Sequence, residues 1–366
     1  MCISARREAR RLRRRSSAAL AISAALAITV ALLVAACGSA DPPRPGVALL
    51  PAQGASSHGW RWTPQCPIGP AASKGCGAAG PILGFAQLNG DEWNLGGPAD
   101  AGSIDMSVGS TGAVTIRGRF ARTAPCTQPA CLAPSAYTWV RGYPSVLYGI
   151  NQCHADTSPP KSPQLPLPMR LDSIPPHLVG VTAYSASTSQ VTYDVAYDLW
   201  LHQTDTHRPC NSEGTLEIMV WTAYDARALL PAGMQVGTAK IPSAVNGVAR
   251  QDTQTWSIYA SNIDRSGQTA PWGGTLWFVP DQADVVGHGR VSVDLSAVFS
   301  AASTLLHDNY GWPALARHYW LDTASFGVEF GPASGDPVAA GPSRFSAQIS
   351  AYCFDVRTTL LTAACG

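Results

Sequence analysis

The stretch V-T-Y-D-V-A-Y-D-L-W-L (191–201) alternates in character residue by residue, and it restricts the fold more than any other feature of the chain. Side chains of a β-strand point to opposite faces with a period of two. Tyr193, Val195, Tyr197, Leu199 and Leu201 therefore share one face, and Asp194, Ala196, Asp198 and Trp200 share the other. The same division recurs in T-L-E-I-M-V-W (215–221), with Leu216, Ile218 and Val220 opposed to Thr215, Glu217, Met219 and Trp221. It recurs again in S-F-G-V-E-F-G (325–331), where Phe326, Val328 and Phe330 oppose Ser325, Gly327, Glu329 and Gly331. A glutamate on the outer face of a half-buried strand is ordinarily just solvated. Met219 and Trp221 beside Glu217 argue instead for an aromatic-lined, acid-bearing cleft. The glycines flanking Glu329 leave room for a close approach.

Further short runs of strand character lie at 113–120, 145–149, 253–260, 274–280, 290–295 and 344–352, nearly all separated by turn residues. Residues 155–168 hold too many prolines for a strand interior and read as a loop. One helix is expected over 296–307, capped by Asp294 or Ser296, with Val298, Phe299, Ala302 and Leu305–Leu306 facing inward. Many strands and one helix predict an all-β fold, a jelly-roll sandwich of two antiparallel sheets.

The first residues are not part of this pattern. Seven arginines within residues 1–17 precede a 19-residue apolar stretch, Ala18 to Ala36, that stops at Cys37. A basic segment, an apolar segment and small residues before a break describe an export signal. L-V-A-A-C (33–37) resembles a bacterial lipobox, which implies cleavage before Cys37 and lipidation of its thiol. An uncleaved signal anchor is the alternative, because 19 apolar residues can just span a bilayer. Either reading places the rest of the chain outside the cytoplasm, on the outer face of a bacterial membrane or secreted. Residues 37–59, rich in Pro, Gly, Ala and Ser, are expected to form a tether. Residues 60–366 are expected to form one domain.

Loss of residues 1–36 leaves 18 of the 25 basic residues against 23 of the 24 acidic ones. No basic stripe remains, and that argues against nucleic acid as a partner. Eight cysteines follow Cys37: Cys66, Cys76, Cys126, Cys131, Cys153, Cys210, Cys353 and Cys365. An even number in an exported chain predicts disulfide staples. Neighbour spacing favours Cys66–Cys76, Cys126–Cys131 and Cys353–Cys365, with Cys153–Cys210 left over. The spacings of zinc sites do not occur, so His202 and His207 read as loop residues.

V-A-Y-D-L-W-L, T-L-E-I-M-V-W and F-G-V-E-F-G, taken in that order, resemble glycoside hydrolase family 12, retaining endo-β-1,4-glucanases with a jelly-roll fold. Y-P-S-V-L-Y-G (143–149), L-P-L-P-M-R-L (165–171), T-W-S-I-Y (255–259) and Y-W-L-D-T-A-S-F-G-V-E (319–329) add to the resemblance. It implies that Glu217 is the nucleophile, Glu329 the general acid/base and Asp198 the carboxyl that hydrogen-bonds the nucleophile. Met219 and Trp221 would line sugar subsites, and Trp93, in N-G-D-E-W-N (89–94), would be a sugar platform. The family also implies a β-glucan substrate and no cofactor; no metal is expected, and the chain is expected to be a monomer that meets a membrane only through the lipid that the lipobox implies at Cys37. Departures from the family pattern follow Glu329, where the chain runs E-F-G-P (329–332), and surround I-N-Q-C-H-A-D (150–156). A carbohydrate-binding envelope lipoprotein that kept the sandwich without hydrolysis is the alternative from another class.

Overall fold

The structure is a computed structural model that describes residues 47–48, 58–62, 78–90, 103–109, 113–120, 142–150, 158–163, 165–176, 178–189, 191–203, 215–224, 233–250, 254–263, 274–281, 288–332 and 343–355. Its strands, numbered along the chain, form two sheets. In the first, the order is β14 (Val248–Ala249), β13 (Ser243–Val245), β17 (His288–Asp294), β9 (Val179–Ser189), β19 (Ser343–Asp355), β6 (Val114–Phe120), β5 (Ser103–Val108) and β2 (His58–Trp62). A short strand, β1 (Val47–Ala48), also pairs with β19. In the second, the order is β12 (Met234–Ala239), β15 (Trp256–Ser261), β16 (Gly274–Pro280), β11 (Leu216–Tyr224), β10 (Val191–His202), β18 (Trp320–Pro332), β7 (Ser145–Gly149), β4 (Ala86–Gly90) and β3 (Ala78–Leu83). There β8 (Met169–Arg170) pairs with β18. Neighbours run antiparallel throughout except β11 and β16, which are parallel. This is the expected all-β sandwich.

The alternation read from the sequence decides which residues enter the core. The apolar faces of β10, β11 and β18 bury Tyr193, Val195, Tyr197, Leu199, Leu201, Leu216, Ile218, Val220, Phe326, Val328 and Phe330 in one hydrophobic cluster with residues of the first sheet. Tyr197 is central to it. Its ring centroid lies 5.0 Å from that of Phe326, and its tip reaches Gly180 of the opposite sheet. A Cβ at Gly180 would fall 2.6 Å from the Tyr197 ring, so a glycine is what lets the sheets close at this point.

The one long helix, α1 (Leu295–Tyr310), extends beyond the expected 296–307 at both ends. Asp294 is its N-cap, accepting a hydrogen bond from the Ala297 amide at 3.0 Å, while Ser296 instead ties the helix to the segment before β9 through Leu178 and Pro175. Gly311 ends the helix in the left-handed conformation. Val298, Phe299, Ala302 and Leu306 are buried as expected, and Leu305 is partly buried.

Two local expectations need revision. His202 is not a loop residue: it ends β10, is buried, and its Nδ1 lies 2.5 Å from Asp322 Oδ2. Asp322 is the extra residue of a β-bulge opposite Trp200 and Leu201, which frees it from the alternation and lets it meet the imidazole. The stretch read as a tether contains β1 and the start of β2, because the apolar Val47–Ala48 and the aromatic-rich H-G-W-R-W find partners that composition could not reveal. Cys353 is buried and disulfide-bonded; Cys37, Trp93, His207 and the other cysteines lie outside the described residues, and with them every expected pairing.

The cap supplies a test of the helix. Asp294→Ala removes the acceptor at the Ala297 amide and should cost about 1 kcal/mol of stability, read as a lower urea midpoint with an unchanged slope.

Candidate active site

The second face of the β10 sheet carries the acids. Across β10 and β11, Trp200 stands opposite Glu217, Asp198 opposite Met219 and Ala196 opposite Trp221. Thr222 is the extra residue of a bulge, its hydroxyl bonded to the Val195 carbonyl at 2.9 Å, and the bulge brings Tyr224 opposite Asp194. On the other side, β18 places Ser325 opposite Asp198, Gly327 opposite Ala196 and Glu329 opposite Asp194. The four carboxyls Asp194, Asp198, Glu217 and Glu329 thus gather on β10 and its two neighbours.

Two of them form a pair around β11. Trp200 Nε1 donates to Asp198 Oδ2 at 2.7 Å, and Thr275 Oγ1 on the parallel strand β16 donates to Glu217 Oε2 at 2.9 Å. A hydrogen bond between Asp198 and Glu217 raises Asp198 and lowers Glu217, the direction expected when Asp198 is the donor. Burial, then the Glu217 charge, holds Asp198 well above the ordinary carboxyl range. Burial raises Glu217 as well, but the bonds from Thr275 and Asp198 pull it back. Glu217 is half-buried, so of the four it combines access with hydrogen-bond donors to its ionised form.

Asp194 and Glu329 make the second pair. Burial raises both well above the ordinary range; for Glu329 the Asp194 charge, a hydrogen bond donated to Asp194 and the Glu217 charge add to it. Taken as ionised, Asp194 Oδ1, Asp194 Oδ2 and Asp198 Oδ1 are buried acceptors with no donor. A proton held within each pair supplies the donor that an all-ionised site lacks. Glu217 and Glu329 are not register partners, yet the Glu217 charge is felt at Glu329.

Not every expected contributor takes its expected place. Met219 and Trp221 do share the face of Glu217, but both are buried in a separate cluster with Ala196, Trp277 and Val279, against Tyr224 and Tyr259. They act as packing beneath and beside the acids. The space at Gly327 is filled by the chain's own backbone: a Cβ there would fall 2.5 Å from the Pro144 carbonyl. The segment before β7 crosses here, and Tyr143 donates from its hydroxyl to the Ala196 carbonyl at 2.9 Å, between the two acid pairs. Asp194 was visible on the right face without an indicated role. Thr275 and Tyr143 gave no local signal, since each reaches the site by long-range pairing; Trp200 was on the face, and only its bond to Asp198 was hidden.

Comparison with known proteins gives the chain a family and a fold. The family model described as Glycosyl hydrolase family 12 matches residues 107–357. Among solved structures, Trichoderma harzianum endoglucanase 3 superposes with a TM-score of 0.50 at 17% identity, covering 82% of this chain and 98% of its own. A family 12 xyloglucanase from Bacillus licheniformis, in complex with ligand, gives 0.50 at 18% identity, with 83% and 100% covered. At these identities the likeness bears on the fold. No curated protein matches the chain.

The electrostatics fix the sign of a pH effect. All four carboxyls titrate above their ordinary values in the folded chain, so the folded state binds more protons than the unfolded one once pH exceeds the ordinary carboxyl range. Their contribution to stability is present at low pH and is lost as pH climbs through the raised folded values. In urea unfolding at a series of pH values, replacing Asp194 by Asn should flatten that decline; an unaltered slope would refute it.

Proposed function

This chain belongs to glycosyl hydrolase family 12, and from that premise we propose that it is an endo-β-1,4-glucanase that cleaves internal bonds of β-glucans with retention of configuration. The observation that carries the reading is the unequal treatment of the acids: Glu217 is half-buried and supplied with donors, while Glu329 is buried and held well above the ordinary carboxyl range by burial and by the charges of Asp194 and Glu217. A retaining glycosidase needs such a division, one carboxylate to attack and one carboxylic acid to donate.

In the first step a Glu217 oxygen forms a bond to C1 of the sugar as the C1–O bond to the departing chain breaks. Glu329 transfers its proton to that departing oxygen. Asp198 and Thr275 hold the Glu217 carboxylate by hydrogen bonds, leaving its attacking lone pair directed and its charge balanced. In the second step Glu329, now ionised, takes a proton from water as the water oxygen attacks C1 and Glu217 departs. The half-buried Trp200, bonded to Asp198, offers an indole beside Glu217 on which a sugar ring can stack. Soluble β-glucan, xyloglucan and cellulose-like chains all suit this chemistry.

Reducing-end release from soluble β-glucan, carboxymethylcellulose and xyloglucan, with proton NMR of the first product, tests the reading. Glu329→Ala should lose about a hundredfold to ten-thousandfold in kcat. Glu217→Ala should be nearly silent and be partly rescued by azide, with a product of inverted configuration. Near-normal turnover in either variant would mean the roles are misassigned.

The leader supports a second part of the proposal, that the enzyme is exported and held at the outer face of the membrane by lipid on Cys37. Cys37→Ser should move the protein from the membrane fraction to the soluble fraction, whereas continued anchoring would favour an uncleaved signal anchor.

A further inference from the structure

The mechanism above uses three of the four acids and leaves Asp194 without a task. Asp194 is fully buried, stands directly across from Glu329 in the β10–β18 register, and, the Glu329 proton aside, neither of its oxygens has a donor among the described residues when it is ionised. Cβ atoms of directly opposed residues lie only about 5 Å apart. None of the nine strands from β12 across to β3 contains a lysine or an arginine, so none of these strands supplies a cation to offset charge on this pair. The ionisable groups around the pair are Asp198 on β10, Glu217 and Tyr224 on β11, and Tyr143 before β7. Tyr224 and Tyr143 spend their hydroxyl protons on the carbonyls of Pro280 and Ala196.

Consider the moment when Glu329 gives its proton to the departing oxygen. Were Asp194 already ionised, two buried carboxylates would then face each other with no cation from these strands and no shared proton. Were Asp194 protonated, its O–H would turn to the new Glu329 carboxylate and stabilise it by a charge-assisted hydrogen bond. We propose that Asp194 is a positioning residue for Glu329, holding its own proton through the reaction and donating a hydrogen bond to the Glu329 carboxylate as that carboxylate forms. The proposal rests on the assignment of Glu329 as acid/base. The balance is simple: the pair enters the glycosylation step with two protons and leaves with one, which Asp194 retains. Water restores the second proton to Glu329 in the deglycosylation step.

A coupled pair loses its protons in two steps. The first lies below, and the second above, the single step that Glu329 would show beside a neutral neighbour. If the active form carries both protons, the first step sets the alkaline limb of kcat/KM. The raised values of both groups agree with a pair that keeps its protons beyond the ordinary carboxyl range.

The experiment combines carboxyl carbon-13 NMR titration of Glu329, assigned with Glu329→Gln, and pH–rate profiles for wild type, Asp194→Asn and Asp194→Ala. Wild type should titrate at Glu329 in two steps that straddle a single step in Asp194→Asn. The alkaline limb of Asp194→Asn should move to higher pH, since its amide still donates but no longer titrates. Asp194→Ala, without a donor, should lose about tenfold to a hundredfold in kcat with little change in KM. One-step titration of wild type at the pH found for Asp194→Asn would overturn the proposal, as would an alkaline limb that stays in place or moves down. If wild type hydrolyses no β-glucan, the glucanase reading fails, while the titration still decides whether Asp194 and Glu329 share protons.

Discussion

Four carboxyl groups share one face of a sheet whose main path contains no lysine or arginine, and their placement there depends on the cation-free strand β10. Buried carboxylates without cations are costly, and protons and hydrogen bonds are the remaining means of accommodating them. β10 arranges this by facing two ways at once. Asp198 meets Glu217 toward β11, and Asp194 meets Glu329 toward β18. The difference between the two pairs is chemical. The first is supplied with donors from Trp200 and Thr275; in the second, Asp194 has none among the described residues beyond the pair's own protons. One sheet face therefore holds one carboxyl whose ionised form is given donors and another whose ionisation is opposed by burial and by neighbouring charge.

The site strains against stability, and the core behind it provides the compensation. Each acid of β10 is followed by an inward residue, Asp194 by Val195 and Asp198 by Leu199, both fully buried. The strand that bears the electrostatic cost is thus also the one most firmly held, by pairing on both edges and by the inter-sheet aromatic group of Tyr197, Phe326, Tyr352 and Phe354. A strand so fixed can hold its acids in unfavourable surroundings without moving away from them.

The division between core and acid-bearing faces was legible in the sequence, because period-two alternation is local: each of the inward residues named from β10, β11 and β18 is buried, and the acids lie opposite them. The helix was legible for the same reason, through its cap and its apolar spacing. What the sequence concealed depends on register. That Glu329 faces Asp194, that Thr275 reaches Glu217, and that Tyr143 crosses between the pairs are facts about residues far apart in the chain. Bulges hid further features, since one extra residue reverses every later face: Asp322 turns toward His202, and Tyr224 comes opposite Asp194. Glycine at 327 signalled a close approach correctly but not what approaches, which is the backbone at Pro144.

The parallel contact between β11 and β16 has a consequence in time. Parallel neighbours cannot be joined by a tight turn, and here the chain runs through β12, β13, β14 and β15 before β16 returns to lie beside β11. Thr275 is 58 residues from the Glu217 it holds. Contacts of such separation form late, because the intervening loop must close before they give any return. The carboxylate at Glu217 therefore gains its second donor only once β11 and β16 have met, and Glu329 reaches Asp194 across a longer separation still. A chain halted partway would have its acids in sequence but not in order, so chemical competence comes at the end of folding rather than along the way.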